Sequence, residues 1–169
     1  MENITNDIKI LGYTGEIDDV SKTLKEIDEI KSQCCDVGVI QLLNAHAIGG
    51  RRHVLHGTIE AIKAFQRKEN LANDLGIELC LRISAQRQIS KALNVLGLHT
   101  GKMDICIVLI DCPDYFEDEL NNIFTPDDEV FKPDIEYLSK IYNISDKQNN
   151  SMYIEDSLID KTTSLIVDV

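Results

Sequence analysis

Among its five cysteines the sequence has no CxxC pair, and it lacks HExxH, Gly-x-Ser-x-Gly, GxGxxG and the Gly-Lys-Ser/Thr that closes a P-loop. Those absences remove the local signatures of a zinc protease, a nucleophile elbow, a dinucleotide fingerprint and a phosphate-cradling loop. Ser84, Cys80 and four histidines remain, but no local arrangement singles out a base for a nucleophile. The longest apolar stretch, Ile105 to Ile110, is far short of the roughly 20 residues that cross a bilayer, so no membrane span is expected. Met1 to Asp7 carry no basic segment ahead of an apolar run, which argues against a secretory leader. The odd count of Cys34, Cys35, Cys80, Cys106 and Cys112, two of them inside apolar runs, points to reduced thiols and a cytoplasmic compartment rather than a disulfide framework.

Cations are also in short supply, 17 Lys and Arg against 29 acids for a formal charge of −12. Taken alone, that balance opposes a nucleic-acid partner, because phosphate contacts dominate such affinities. The average hides a segregation. Residues 51–102 hold nine Lys/Arg against four acids, while the remainder holds eight against twenty-five. Local sign steers a partner more than net sign does, so the basic middle segment is the candidate working region. With 43% hydrophobic and 27% charged residues the composition is that of an ordinary globular chain, and 169 residues suffice for one domain with a core.

Apolar spacing predicts the elements. Ile8, Ile10 and Tyr13 before Thr14-Gly15 read as a short strand, and Val20, Leu24, Ile27 and Lys31 recur at helical spacing behind Asp18 and Asp19. Val37 to Leu43 is apolar on both parities and is expected as a central strand. After Gly49-Gly50, Val54, Thr58, Ala61 and Phe65 stripe a long helix with Arg67 and Lys68 in its last turn and Asn70 as its stop. Alternation from Ile77 through Ile83 predicts a strand, and Ser84 is the expected cap of a helix carrying Ile89, Ala92, Leu93 and Leu96 up to Gly97. Ile105 to Ile110 is the last buried strand. Beyond it, Phe116, Leu120 and Ile123, then Ile135, Leu138 and Ile141 behind Pro133, then Ile154, Leu158 and Leu165 keep helical spacing, with a polar turn at 147–151. The expected fold is α/β, a mixed α+β arrangement in a single domain 1–169, with about four strands flanked by helices and an acidic helical part at 113–169.

Gly49-Gly50-Arg51-Arg52 at a helix start has the makings of an anion site, with free amides and the positive helix end beside two guanidinium groups. The plain alternative is a glycine turn with solvated arginines. His53, His56 and Glu60 share a helix face at metal-ligand spacing, but no fourth ligand is in evidence, and neither a metal nor a cofactor is expected. Asp127-Asp128-Glu129 in an acidic stretch is read as solvated surface. Lys63, Arg67 and Lys68 on the long helix, with Arg82, Arg87 and Lys91 around Ser84, are candidates for a phosphate-tracking groove, or else scattered solubilising charge. Phe65 is the one aromatic residue in that segment, which argues against an extended stacking platform.

Ala45-His46-Ala47-Ile48, His53-Val54-Leu55 with Ala61-x-x-Ala64-Phe65, Glu78-Leu79-x-Leu81-x-Ile83-Ser84, and Arg87-Gln88-Ile89-Ser90-Lys91-Ala92-Leu93 with Gly97 occur in one order across about 70 residues. In that order and spacing the chain resembles the small kinase-binding, TPRKB-like subunit of the KEOPS (EKC) complex, in its archaeal form. The resemblance implies a mixed α/β domain without catalytic activity. It implies a subunit that binds and stimulates the complex's small atypical kinase/ATPase and helps recruit tRNA by its 3′ CCA end for threonylcarbamoyladenosine modification. The long acidic tail departs from the family's pattern. On this reading Arg51, Arg52, His53, Lys63, Arg67, Lys68, Arg82, Arg87 and Lys91 are the RNA-facing candidates, and the stripe Ile154, Leu158 and Leu165 either meets the kinase or packs on its own domain. The rival reading is a small phosphate-ligand sensor or enzyme built on the Gly49 to Arg52 turn.

Overall fold

A computed structural model describes residues 6–34, 38–144 and 151–167. In chain order the elements are β1 (Ile8–Ile17), α1 (Val20–Cys34), β2 (Val39–Asn44), α2 (Arg51–Arg67), α3 (Leu75–Ser84), α4 (Ile89–Leu96), β3 (Gly101–Ile110), α5 (Tyr115–Asn121), β4 (Thr125–Pro126), α6 (Ile135–Ile141) and α7 (Ser151–Val167). Short 3₁₀ turns cover Ala45–Ala47 and Asp128–Phe131. The sheet is antiparallel in the order β2-β3-β1-β4, so the fold is mixed α/β as expected.

Strand β3 organises the core because both of its faces are apolar. Ile105, Ile107 and Leu109 meet Tyr13, Leu42 and, from α1 and α5, Ile27, Phe116 and Leu120. Cys106, Val108 and Ile110 face the opposite layer, built from α2, α3 and α4 through residues such as Val54, Leu79 and Ala92. A third, smaller cluster of Leu138, Tyr142, Ile154 and Leu158 joins α6 to α7. Burial holds the Cys80 and Cys106 thiols protonated, each pushed up to about 12, so both act as small hydrophobes.

Five expectations change. The alternating run from Ile77 is a helix, not a strand: Asp74 caps α3 by accepting from the Ile77 amide at 3.0 Å, and nearly every side chain of α3 is buried. A helix buried all round shows no polar stripe, so its apolar residues mimic a strand's alternation. Ser84 ends this helix, donating to the Cys80 carbonyl at 2.6 Å, and Gln88, without a side-chain cap bond, precedes α4. Strand β2 lies at the sheet edge rather than its centre. Its two apolar parities reflect cover on both faces, which is independent of edge position. Finally, β1 runs through Thr14-Gly15 to Ile17, because a side chain at Gly15 would meet Phe124 at 2.6 Å; this glycine admits a neighbour instead of breaking the strand. Helix α2 also stops earlier than Asn70, at Lys68 in the left-handed region with φ of 59°. Cys35, Val37 and the turn at 147–150 lie outside the described residues.

Candidate nucleic-acid interface

Helix α7 approaches closely at Gly49 and Gly50, and the positive φ of Gly50 favours glycine there. A Cβ at Gly49 would stand 2.7 Å from Leu158 Cδ1, and one at Gly50, whose φ is 136°, would stand 2.7 Å from Glu155 Oε1. At these glycines and the two arginines, where the sequence suggests an anion site, the chain's own carboxylates are seated. Glu155 Oε1 accepts from the His53 amide at 3.2 Å, placing negative charge at the α2 N-terminus. Arg52 donates to Asp156 at 2.8 Å and lies 3.8 Å from Glu155, and its pKa is raised chiefly by the Asp156 hydrogen bond. Arg51 donates to Asp128 at 2.8 Å with its guanidinium carbon 4.4 Å from the Phe131 ring centre. Both arginines remain about half exposed.

His53 and Arg82 are corrected from RNA contacts to structural groups. The His53 ring is fully buried: Nδ1 accepts from the Gly49 amide at 3.0 Å and Nε2 donates to the Ile83 carbonyl at 2.9 Å, tying the start of α2 to the end of α3. Both nitrogens are spent inside the protein, which also removes His53 from any shared metal face with His56, whose Nε2 meets Thr163 Oγ1 at 2.9 Å. Arg82 is 2% exposed and Glu78 0%. Glu78 Oε1 accepts from Arg82 Nε and Nη2 at 3.0 and 2.9 Å, while Oε2 accepts from the Leu71 and Ala72 amides at 2.9 and 2.7 Å. Every lone-pair direction of this buried carboxylate thus has a donor, the condition under which a buried ion pair is tolerated.

Burial pushes the His53 pKa from 6.5 down to about 4. Between those values the unfolded chain binds a proton that the folded chain refuses. Stability is therefore fully present above about pH 6.5 and falls as pH is lowered toward 4, by about 3 kcal/mol at the limit. Urea midpoints of the wild type and His53→Gln, followed from about pH 7 to 4.5, check this. The wild type loses stability more steeply on acidification, and parallel curves would refute a neutral buried imidazole.

The remaining candidates do not share one surface. Arg51 and Arg52 line a depression of about 360 Å³ with Phe131, Met152 and Glu155. Lys63 and Arg67 flank a separate, narrow one with Glu60 and Glu69, where the Lys63 ammonium is 3.9 Å from Glu60. Lys68 is exposed beyond the helix end. Arg87 and Lys91, both exposed, line a third depression at the α3–α4 turn. There Lys161 and the C-terminal turn of α7 lie alongside, a cation that sequence reasoning missed because it sits in the acidic part of the chain. The isolated lysine within an acidic helix was the available signal. The proposed partner stripe is corrected too: Ile154, Leu158 and Leu165 are 1%, 1% and 7% exposed, turned onto the domain's own helices. No helix among the described residues is long and apolar enough to cross a membrane.

The fold and its surface define a mixed α/β protein with separate cationic patches and an acidic C-terminal helix folded back over its helical layer. Residues 17–164 match the family described as "Kinase binding protein CGI-121", and the chain belongs to that family. It is similar to the "Regulatory protein Cgi121" of Methanocaldococcus jannaschii, with 31% identity over 83 residues. That alignment covers 48% of this chain and 53% of the relative, so the chain spans about half of the relative's length.

Proposed function

We propose that the chain, working as one unit over residues 1–169, is a non-catalytic cytoplasmic subunit of the KEOPS complex. In this role it binds and stimulates the complex's small atypical kinase/ATPase and helps recruit tRNA by its 3′ CCA end for threonylcarbamoyladenosine modification. The observation that carries the reading is the match to a kinase-binding family across residues 17–164. The segregated charge supports the RNA half: of the nine sequence candidates, Lys68, Arg87 and Lys91 are exposed and have no carboxylate at ion-pair distance among the described residues, and Arg87 and Lys91 lie together in one depression. Arg51 and Arg52 stay candidates of lesser weight, because an RNA phosphate has to displace Asp128 or Asp156 from them. Lys63 and Arg67, beside Glu60 and Glu69 on a separate part of α2, and Lys68 beyond its end carry less weight. For the kinase, the buried α7 stripe gives way to α4, where Ile89 and Leu93, one turn apart, are 45% and 39% exposed. A small-molecule site at the Gly49 to Arg52 turn is disfavoured by the carboxylates already seated there.

Binding of intact and CCA-trimmed tRNA, at stated salt, tests the RNA half. Intact tRNA binds more tightly, and Arg87→Glu weakens it by several-fold with a shallower salt dependence, whereas Arg51→Glu has a smaller effect. Indifference to both trimming and Arg87→Glu refutes recruitment through the 3′ end.

A further inference from the structure

The two depressions beside the α3–α4 turn share Ala85, Gln86 and Leu165 and together form one groove, with volumes of about 420 and 320 Å³. Its floor is the end of α3, where Ala85 takes the left-handed conformation with φ of 54° and the chain turns toward α4. One wall is the first turn of α4, and the other is the last turns of α7 with Asn143. Among the described residues, the charged groups lining the groove are Arg87, Lys91 and Lys161, and no carboxylate lines either part.

In a chain with 29 acids this lining differs from that of the depressions at Arg51 and Lys63, which include Glu155 and Glu60 with Glu69 respectively. Arg51, Arg52, Lys63 and Arg82 each have a carboxylate within 4.0 Å, but Arg87, Lys91 and Lys161 have none among the described residues. Arg87 instead reaches the Leu165 carbonyl at 3.5 Å, a long and weak hydrogen bond to a neutral acceptor across the groove. Gln86, Gln88 and Asn143 add amide donors between the cations. Cations without counter-charges, converging from two separate parts of the chain beside neutral donors, match the non-bridging oxygens of a phosphodiester strand.

We infer that this groove is a phosphodiester-backbone site, completed by Lys161 from α7. The acidic C-terminal part of the chain thereby supplies a cation that the basic middle segment needs, and its docking onto α3 assembles the groove. This inference rests on the RNA-binding reading above, which names a strand as the source of the phosphates rather than a free anion.

The test uses the full chain and a labelled single-stranded RNA ending in CCA, titrated by fluorescence anisotropy across salt. Lys161→Gln and Lys161→Glu, with folding checked by thermal melting, are compared with Arg87→Glu and with Lys140→Glu, which lies outside the groove. Losing one phosphate contact weakens binding about three- to tenfold and lowers the logarithmic salt slope by about 0.7. The expected result is that shift for Lys161→Gln, a larger one for Lys161→Glu, and less than about twofold for Lys140→Glu. Wild-type affinity in both Lys161 variants, alongside a loss in Arg87→Glu, overturns the groove and leaves the RNA reading standing. Absence of RNA binding by the wild type overturns both. Displacement of the RNA by millimolar inorganic phosphate at constant ionic strength, with no preference for a strand over free phosphate, assigns the groove to a free anion and also overturns the inference.

Discussion

Glu78→Ala lowers the unfolding free energy by about 3–5 kcal/mol, the cost of leaving a buried guanidinium without its counter-charge. Glu78 is at once the partner of Arg82 and the acceptor for the Leu71 and Ala72 amides, so its removal orphans donors in the α2–α3 connection as well as one in α3. A water entering the vacated space can accept from some of these donors but brings no negative charge, and both side chains are almost fully enclosed. The paired change Glu78→Leu/Arg82→Met removes both charges while keeping apolar volume. It recovers much of the loss, short of full recovery because the two amides still lack an acceptor. Urea unfolding, with the midpoint shifted at unchanged slope, reads the effect. A loss below about 1 kcal/mol for Glu78→Ala would show the pair to be dispensable.

Leu158→Ala costs about 2–5 kcal/mol, as truncations of buried leucines do, and identifies the face of α7 as core. Leu158 is 1% exposed, sits with Leu138, Tyr142 and Ile154, and packs so closely on Gly49 that a Cβ there would displace its Cδ1. Its loss loosens α7 from α2, and with it the Glu155 carboxylate at the start of α2. Kinase capture by Leu158→Ala therefore falls only with the folded fraction. Ile89→Glu on exposed α4 does the reverse, keeping its melting temperature while losing the kinase. A stable Leu158→Ala that no longer captures the kinase would return the interface to α7.

Much of the secondary structure was legible because it is locally encoded. Helix α2 and strand β3 show their apolar periodicities directly, and Asp19 caps α1 at the Lys22 amide, 3.1 Å away, as the acids before Val20 indicate. Helix α3 was not, although Glu78 and Arg82 carry the clue: two opposite charges four residues apart fall on one helical face, whereas in a strand they would merely lie on the same side. In the candidate site, types and charges were readable but availability was not. His53 and Arg82 look like surface groups in the sequence, and only the packing of α2 on α3 encloses them.

The amino-acid sequence by itself determined the mixed α/β character, the segregation of charge and the motif order that marks the family. These follow from composition and short-range spacing, which the backbone's local geometry converts into helices and strands. Tertiary structure alone decided which cations are free. Arg51 is paired with Asp128, 77 residues away, and Arg52 with Asp156, 104 residues away, while Lys161 comes to line the groove of Arg87 and Lys91, in which no acid among the described residues takes part. Charge pairing acts over a few ångströms of space and has no reach along the chain, so it became readable only once α7 lay against α2 and α3.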